Sequence, residues 1–358
     1  MRILGIETSC DETAASVVEN GRLIRSNVVA SQEDLHAEYG GVVPEIAGRA
    51  HVERILPVIR RALEIAETPL DDLDAIAVGH RPGLIGSLLV GVAAAKSLAW
   101  ARGLPLVGID HVQAHLYAPL LARASDDLSP ADWRDAYPAL GLVVSGGHTA
   151  IYRCESPHRL TRLGSTIDDA VGEVYDKAAT ILGLPYPGGP RIDALAREAG
   201  SDDRAVEFPI SRLDRDSVDF SFSGLKTAVL YEVRGRPASS RPGKAPPPPP
   251  PPLTDARKRD IAASFQRAAI GAITLKLGRA FDAHPGCRTL LVGGGVSANS
   301  RLRGDLGAFC EQRGIALRLA EMACCVDNGA MIAGLGCRLL EAGETADLSL
   351  APVPTTAC

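Results

Sequence analysis

His111 and His115 are the residues whose type and spacing point most directly to chemistry in this sequence. They lie four residues apart at the start of a predicted helix that Asp110 could cap, so both imidazoles share one helix face. Two such side chains form half of a metal site, which a carboxylate from a distant segment would complete. The spacing fixes only two positions, so a structural histidine pair stays open at this point.

Proteolysis is the first alternative that the histidine pair raises. Zinc proteases of the H-E-x-x-H type carry a glutamate directly after the first histidine as general base, and here that position is Val112. The sequence therefore disfavours a metalloendopeptidase. A nucleotide-dependent switch or scaffold is the second alternative, and it would need phosphate-binding loops but no metal pair.

Asp327 is the candidate carboxylate, although with Asn328 it opens the last predicted helix, where N-capping is the ordinary role of an aspartate. Cys324 and Cys325 lie just before it and are more simply interpreted as buried thiols. None of the 8 cysteines forms a C-x-x-C pair, which argues against a zinc ribbon or a disulfide framework.

Two Gly- and Ser-containing segments follow predicted strands, GIETSCDET at 5–13 and VVSGGHTA at 143–150. Backbone amides and hydroxyls in such turns can bind phosphate oxygens. Their matching positions in two similar halves favour a phosphate chain held in a cleft between related lobes. In the first segment Asp11 and Glu12 could orient a metal or a reacting amine, or they could be solvent-exposed turn carboxylates.

Two further motifs carry weaker indications. Gly293, Gly295 and Ala298 match G-x-G-x-x-A, but they lie late in the chain, so a turn that packs on an adenine or a ribose is favoured over a dinucleotide site. Lys226 follows a glycine turn and could neutralise phosphate or tRNA charge, or it could be a solvated helix lysine. No Walker A sequence occurs, which excludes P-loop chemistry.

The elements that must position these residues alternate between strands and helices in two similar halves. A strand, turn and hairpin pattern at 2–30, with Asn20-Gly21 as the hairpin turn, recurs at 139–163. Apolar spacing predicts helices at 51–66, 84–102, 169–182, 255–283 and 327–342, with short strands between them. The pattern predicts a duplicated α/β fold. The proline-rich stretch at 234–254 predicts a solvent-exposed insertion.

Length and composition limit the class of protein. A chain of 358 residues has room for two lobes, and a hydrophobic content of 46% with a net charge of -5 is typical of a globular enzyme. Aromatic residues make up only 4%, which argues against a stacking platform for single-stranded bases. The sequence predicts no signal segment and no run of roughly 18 apolar residues, hence a cytoplasmic protein without a membrane partner.

Taken together, the motifs resemble those of the universal threonylcarbamoyltransferase family of tRNA modification, whose bacterial members are called TsaD. The resemblance covers nearly the whole chain, in the order of the family. It rests on GIETSCDET, YGGVVPEIA, DHVQAH, LVVSGGHTAIY, EVYDKAATILGLPYPGGP, DFSFSGLKTAV, GGGVSANSRLR and DNGAMIA.

The resemblance implies an α/β fold of the actin-like, Hsp70-like and sugar-kinase-like (ASKHA) class, with duplicated mixed-sheet lobes at 1–135 and 136–358. It implies transfer of the threonylcarbamoyl group from threonylcarbamoyl-AMP to N6 of adenosine 37 in tRNAs that read ANN codons, with release of AMP. The implied metal ligands are His111, His115 and Asp327, for Fe²⁺ or alternatively Zn²⁺. The implied substrate contacts are Val143, Val144, Ser145, Gly146, Gly147, Asp176, Gly189, Asp193 and Asn299.

The resemblance also implies partners, namely a paralogous pseudo-enzyme subunit (TsaB) and a small ATPase (TsaE), besides tRNA.

Three features depart from the family pattern. Arg81-Pro82-Gly83 replaces the usual Gly-Pro-Gly, position 110 is Asp where Asn or His is common, and Gln113-Ala114 replaces Glu-Gly. The proline-rich insertion is likewise not a family feature.

Overall fold

Two mixed β-sheets form the framework in a computed structural model that describes residues 1–123, 133–237 and 250–356. The first sheet has the order β6-β5-β1-β2-β3-β7, with β4 also paired to β2. Strand β1 pairs antiparallel with β2 on one side and parallel with β5 on the other. Its strands are β1 (Arg2–Glu7), β2 (Glu12–Glu19), β3 (Leu23–Ile24), β4 (Val28–Ser31), β5 (Ala75–Arg81), β6 (Leu106–Asp110) and β7 (Ala122–Arg123).

The second sheet repeats this arrangement with the order β10-β9-β8-β11-β12. Its first strand again pairs antiparallel with the next strand in the chain and parallel with a later one. This repetition confirms the predicted duplicated α/β fold. Its strands are β8 (Ala139–Val144), β9 (Thr149–Ser156), β10 (Arg159–Ser165), β11 (Thr289–Gly293) and β12 (Ala316–Leu319).

Helices cover the faces of both sheets. In chain order they are α1 (Glu33–Ala37), α2 (Pro44–Ile65), α3 (Ile85–Arg102), α4 (His111–Tyr117), α5 (Val171–Ile181), α6 (Gly188–Ala196), α7 (Ser223–Arg234), α8 (Asp255–Ala283), α9 (Ser300–Arg313) and α10 (Gly329–Glu341). Helix α2 begins seven residues before the predicted start at 51, because Pro44 is tolerated in a first helical turn, where no N–H partner is needed. Most of the proline-rich stretch, residues 238–249, lies outside the described residues.

Helix α10 returns to the first sheet although it follows the strands of the second. It packs against β1 and β2, and beyond it Ala346 forms a bridge to Leu106 at the edge of β6. The predicted lobe boundary at 135/136 falls between β7 and β8, and the division of the chain there remains a prediction. That prediction did not include the return of the C-terminal segment to the first sheet.

Helix α3 departs from the expectation that no segment could span a membrane. By length and composition alone its 18 residues are long and apolar enough. The reason is its abundance of Ala, Gly and Ser between larger apolar residues, which gives an apolar average without a continuous apolar run. Val92, Ala95 and Ala99 are buried in the core that covers the first sheet, although only 33% of the helix residues are buried. One face of α3 therefore packs on the first sheet.

Helix α4 lies where the two sheets meet. It contacts β5 and β6 of the first sheet, β8 and β11 of the second, and helix α10. The end of β11 reaches the helix backbone because position 293 is glycine, where any Cβ would collide with the His115 carbonyl. The helix that carries the histidine pair is therefore fixed by both lobes.

Candidate metal and nucleotide site

Asp110 fixes the start of helix α4, as its sequence position predicts. Its Oδ1 accepts hydrogen bonds from the backbone N–H groups of Val112 at 3.0 Å and Gln113 at 3.3 Å. This capping satisfies N–H groups that have no partner within the helix. His111 and His115 then lie one turn apart and are both buried, with ring centroids 4.5 Å from each other.

Asp327 joins the two histidines, which confirms that the three side chains form a candidate metal-binding triad. Its Oδ1 lies 3.1 Å from Nε2 of His115 and 3.4 Å from Nε2 of His111. The candidate ligand atoms of the three residues all lie within 4.8 Å of one another. Neither ring nitrogen of the buried His115 has a well-formed hydrogen bond. Two imidazoles and one carboxylate suit a divalent transition metal.

The alternative role of Asp327 as a helix cap is wrong. Asn328 caps helix α10 instead, with its Oδ1 accepting from the Met331 N–H at 3.0 Å. The Asp327 carboxylate is therefore left for the histidines. Cys325 does not join them, since its thiol donates towards the Glu321 carbonyl at 3.3 Å. The described cysteines are free thiols, as predicted.

Glu7 is a functional residue that the sequence reasoning missed. At the end of β1 it is fully buried, and its Oε2 lies 3.0 Å from Nδ1 of His111. Ser9 Oγ lies 3.2 Å from the same nitrogen. Gly79 leaves room for this carboxylate, because a Cβ there would lie 2.6 Å from Glu7 Oε2. A carboxylate that holds Nδ1–H leaves Nε2 of His111 free to bind a metal.

Charges within the site act strongly on one another. Burial opposes a charge on His111, yet Asp327 and Glu7 raise the pKa of His111 to about 9. Burial and the neighbouring His111 lower the pKa of His115. Burial, His111 and His115 lower the pKa of His148 to about 4. Although burial opposes its charge, the two histidines hold the pKa of Asp327 below its usual value. The site therefore concentrates anionic charge where a cation would bind.

A cavity of about 340 Å³ opens beside the triad. It brings together both predicted phosphate loops, since Asp11 and Glu12 line it from one lobe and Ser145, Gly146 and Gly147 from the other. The turn before helix α3 and the C-terminal segment also contribute. The remaining lining residues are Ser9, Cys10, Pro82, Gly83, Leu84, His111, His148, Gly295, Val326, Asp327 and Pro354.

Asp11 and Glu12 are half-buried in the turn that lines the cavity. Burial, assisted by the nearby Asp327 and Asp11 charges, raises the pKa of Glu12 well above its usual value. Burial also raises the pKa of the Cys10 thiol. Glu12 is thus a carboxyl that holds its proton more tightly than a solvated one, beside the candidate metal ligands.

The other predicted substrate contacts are not among the residues that line this cavity, and their role stays a prediction. The side chains of Val143 and Val144 are buried in two core clusters, so only their backbone could reach a ligand. Asp176, whose pKa burial raises, accepts from the Gly188 N–H at 2.7 Å, next to Gly189 at the start of α6. Asp193 accepts from Ser300 Oγ at 2.8 Å, and Asn299 caps helix α9.

A second cavity of about 480 Å³ lies on the side of Asp193 and Asn299. Ser300, which binds Asp193, and Gln266, which binds Asn299, both line it. Lys226 lies elsewhere and is not a free cation, because its Nζ donates to Asp169 at 2.7 Å. Asp169 therefore neutralises part of the positive charge that Lys226 would offer to a phosphate.

Two departures from the family pattern occur at residues that contact each other. Arg81 Nε lies 3.4 Å from Oδ2 of Asp110, whose side chain is almost fully buried. The arginine that replaces a family glycine therefore neutralises the aspartate that replaces a family Asn or His. Arg81 thus contacts the residue that caps helix α4, which carries the histidine pair.

Comparison with known proteins connects this site with tRNA modification. The sequence profile of the TsaD family, tRNA N6-adenosine threonylcarbamoyltransferase, matches residues 23–334. A protein of that name from Sorangium cellulosum is 49% identical, covering 100% of this chain and 97% of its own length. Another from Symbiobacterium thermophilum is 47% identical, covering 98% of this chain and 95% of its own.

Solved structures share the fold at low sequence identity. HypF of T. kodakarensis superposes with a TM-score of 0.58 at 16% identity, covering 95% of this chain and 48% of HypF. The (R)-2-hydroxyglutaryl-CoA dehydratase component A of Acidaminococcus fermentans superposes with a TM-score of 0.50 at 15% identity, covering 94% of this chain and 96% of its own. These likenesses confirm the ASKHA-type two-lobed fold.

Proposed function

The chain belongs to the TsaD family of tRNA N6-adenosine threonylcarbamoyltransferases, and on that premise we propose that its cleft transfers threonylcarbamoyl from threonylcarbamoyl-AMP to N6 of adenosine 37 in ANN-reading tRNAs. AMP leaves. The observation that carries the proposal is that two residues of the triad, His111 and Asp327, line the same cavity as both predicted phosphate loops. A peptidase is not favoured, because Val112 stands where the general base would be.

His111, His115 and Asp327 are the proposed ligands of one divalent metal ion, Fe²⁺ in first place and Zn²⁺ in second. The donor set fits, because a buried imidazole such as His115 without a well-formed hydrogen bond is costly unless a ligand satisfies it. Bound there, the ion would supply Lewis-acid stabilisation of charge on the adenylate phosphate.

The remaining groups bind and orient the reactants. The Ser145 hydroxyl and the backbone N–H groups of Gly146 and Gly147 are proposed to hold the phosphate, because the Ser145 N–H already donates to the His148 carbonyl oxygen. The residues proposed to hold the nucleoside part are Asp176, Gly189, Asp193 and Asn299. Asp11 and Glu12 are proposed to orient the adenine amine, a poor nucleophile whose attack depends on positioning. A carboxylate with a raised pKa accepts a proton from that amine more readily than a solvated carboxylate does, which suits Glu12 to this role.

The decisive experiment supplies threonylcarbamoyl-AMP, unmodified tRNA, metal and the family partners, followed by mass spectrometry of the digested nucleosides. We expect threonylcarbamoyladenosine from the wild type and none from His111→Ala or His115→Ala. His284→Ala, at the end of helix α8, is the matched control and should retain activity. An inactive wild type with all partners present would overturn the proposal, as would full activity of both ligand variants.

The proposed partners are tRNA, a paralogous pseudo-enzyme subunit and a small ATPase, in a cytoplasmic setting. We propose the outer faces of helices α2 and α3 as the docking surface for the pseudo-enzyme subunit. Val52 and Leu56 on α2 and Leu89 and Trp100 on α3 leave 56–75% of their surface exposed. Apolar side chains this exposed on neighbouring helices are typical of a protein interface.

A further inference from the structure

His51 binds both ends of the turn that carries Asp11 and Glu12. It lies in helix α2, is fully buried, and belongs to neither the triad nor the cavity lining. Its Nε2 lies 3.0 Å from the Cys10 carbonyl oxygen and its Nδ1 lies 2.8 Å from Thr13 Oγ1. One imidazole thus closes the four-residue turn Cys10–Thr13 from the side opposite the cavity.

The chemistry of these contacts determines which hydrogen bond runs in which direction. A carbonyl oxygen can only accept, so Nε2 carries the proton and donates to Cys10. Burial lowers the pKa of His51, which favours the neutral ring, in which Nδ1 accepts from the Thr13 hydroxyl. Both ring nitrogens are therefore used, and each holds a different end of the turn.

The middle of the turn is held from the same side. The Gln32 N–H donates to the Asp11 carbonyl oxygen at 3.1 Å, and β2 pairs with β4 so that Glu12 lies opposite Ser31. Gln32 is itself buried, with Oε1 3.3 Å from Nε2 of His36. Cys10, Asp11 and Glu12 nevertheless line the cavity. The backbone of the turn is thus fixed behind the site while its side chains face the reactants.

We propose that His51 is a positioning residue for the transfer reaction, which acts by holding the Cys10–Thr13 turn so that Asp11 and Glu12 meet the attacking amine. The inference rests on the proposed function and adds a residue outside the cavity to its machinery. A displacement of about 1 Å in a reacting group can cost on the order of 100-fold in rate. Loss of the two hydrogen bonds should therefore reduce kcat while binding of the adenylate persists.

A histidine that only fills the core would behave differently. Its replacement by an apolar residue of similar size would leave the enzyme active. Any loss of activity would match the loss of folded protein. A positioning histidine loses kcat in a folded protein and recovers when either hydrogen bond is restored. Gln can place an amide nitrogen near the position of Nε2, and Thr13→Val removes the partner of Nδ1 without changing the size of the side chain.

The test compares His51→Leu, His51→Gln and Thr13→Val with Thr274→Val, a matched control in helix α8 whose hydroxyl bonds only within that helix. We expect kcat to fall about 100-fold in His51→Leu and about tenfold in Thr13→Val, with KM for threonylcarbamoyl-AMP within about threefold of wild type. His51→Gln should recover at least about tenfold over His51→Leu. If His51→Leu does not fold, the kcat values of Thr13→Val and His51→Gln test the inference.

Alkylation of Cys10 by iodoacetamide, mapped by peptide mass spectrometry, reports the order of the turn without requiring activity. Cys10 is partly exposed whereas the other described cysteines are buried, so its rate should rise several-fold in Thr13→Val and His51→Leu. Wild-type kcat and an unchanged Cys10 rate in both variants would overturn the inference. A changed Cys10 rate in an enzyme whose wild type transfers nothing would instead overturn the proposed function alone.

Discussion

His111 is held between two carboxylates that come from opposite ends of the chain. Glu7 lies on its Nδ1 side and Asp327 on its Nε2 side. Glu7 also accepts from the Ser9 N–H at 2.5 Å, so its own orientation is fixed by the phosphate loop. The candidate metal ligand His111 and the predicted phosphate loop are therefore coupled through a single carboxylate.

Glu7→Gln should weaken metal binding while the protein stays folded. An amide keeps the size of the side chain but removes the negative charge that favours Nδ1–H of His111, and such partners typically contribute about 10–100-fold to metal affinity. The measurement is a chelator competition for Zn²⁺ or Co²⁺. Glu19→Gln, at a surface ion pair with Arg25, is the control and should leave affinity unchanged. Equal affinities for both variants would contradict a role for Glu7.

The sequence predicted the site residues in part, and the limits have physical causes. The His111/His115 pair was visible because a helix brings residues four apart onto one face. Glu7 and His51 act through contacts across 104 and 41 positions of sequence, which no local pattern records. A glutamate at the end of an otherwise apolar strand was the available signal for Glu7, since burying a charge demands a partner.

At the level of elements, the N-terminus of helix α4 depends on a buried aspartate with several partners. Asp110 accepts from two backbone N–H groups through Oδ1, while Thr356 Oγ1 donates to Oδ2 at 2.8 Å and Arg81 lies beside it. The cap thus connects helix α4 to strand β5 and to the C-terminal segment.

A double-mutant cycle should reveal the coupling between Arg81 and Asp110. Asp110→Asn alone and Arg81→Ala alone should each destabilise the protein, and the double variant should lose less than their sum by about 1 kcal/mol, a modest value because Arg81 is partly exposed. Chemical denaturation gives the free energies of unfolding. Strict additivity would mean that the two departures from the family pattern are independent.

Asp169 connects helices α5 and α7 by accepting from Lys177 at 2.9 Å and Lys226 at 2.7 Å. Burial opposes its charge, but the two lysines hold the pKa of Asp169 below its ordinary value of 3.8. If folding lowers the pKa of a carboxyl, its ionised form stabilises the folded protein at pH values above the pKa of the unfolded chain. This stabilisation is lost as the pH falls through the pKa of the folded protein. The stabilisation should therefore be complete at neutral pH.

Asp169→Asn should lower the free energy of unfolding at pH 7 by about 1 kcal/mol, since both lysines are partly solvated. The difference from wild type should shrink as the pH drops below 3.8, where the wild-type carboxyl begins to take up its proton. Urea denaturation at several pH values measures it. Asp282→Asn, at a more exposed ion pair with Arg313, should show a smaller effect. A pH-independent difference would exclude the ion pairs as its cause.

At the scale of the whole molecule, the duplication of the fold was predictable because hairpin turns and apolar strands recur locally in both halves. The return of helix α10 to the first sheet was not. The apolar residues of helix α10 could pack on either lobe, and only tertiary contacts determine which lobe it covers. One such contact is at Gly329, where a Cβ would lie 2.6 Å from the Ser16 nitrogen. The same return brings Asp327 to the histidines.

The exposed apolar residues of α2 and α3 form a surface rather than isolated positions. A Cβ placed on Gly48 would lie 3.7 Å from the Gly86 carbonyl carbon, so the helices approach closely there. Val52 and Leu89 follow within one turn, and Trp100 lies eleven residues beyond Leu89, on the same helix face. The apolar outer face also explains why α3 has the composition of a membrane helix although its inner face packs on the sheet.

Leu56→Glu combined with Leu89→Glu should abolish binding of the pseudo-enzyme subunit without unfolding the chain. Both side chains are more than half exposed, so charges there cost little in the free protein, whereas burying two carboxylates in an apolar interface costs several kcal/mol. We expect Kd to rise at least about 100-fold by titration calorimetry, with an unchanged Tm. Leu348→Glu, at an equally exposed leucine after helix α10, is the control and should bind normally. The metal affinity of the double variant should be unchanged, because this surface lies on the face of the helices opposite the core. A double variant that still binds its partner would place the interface elsewhere.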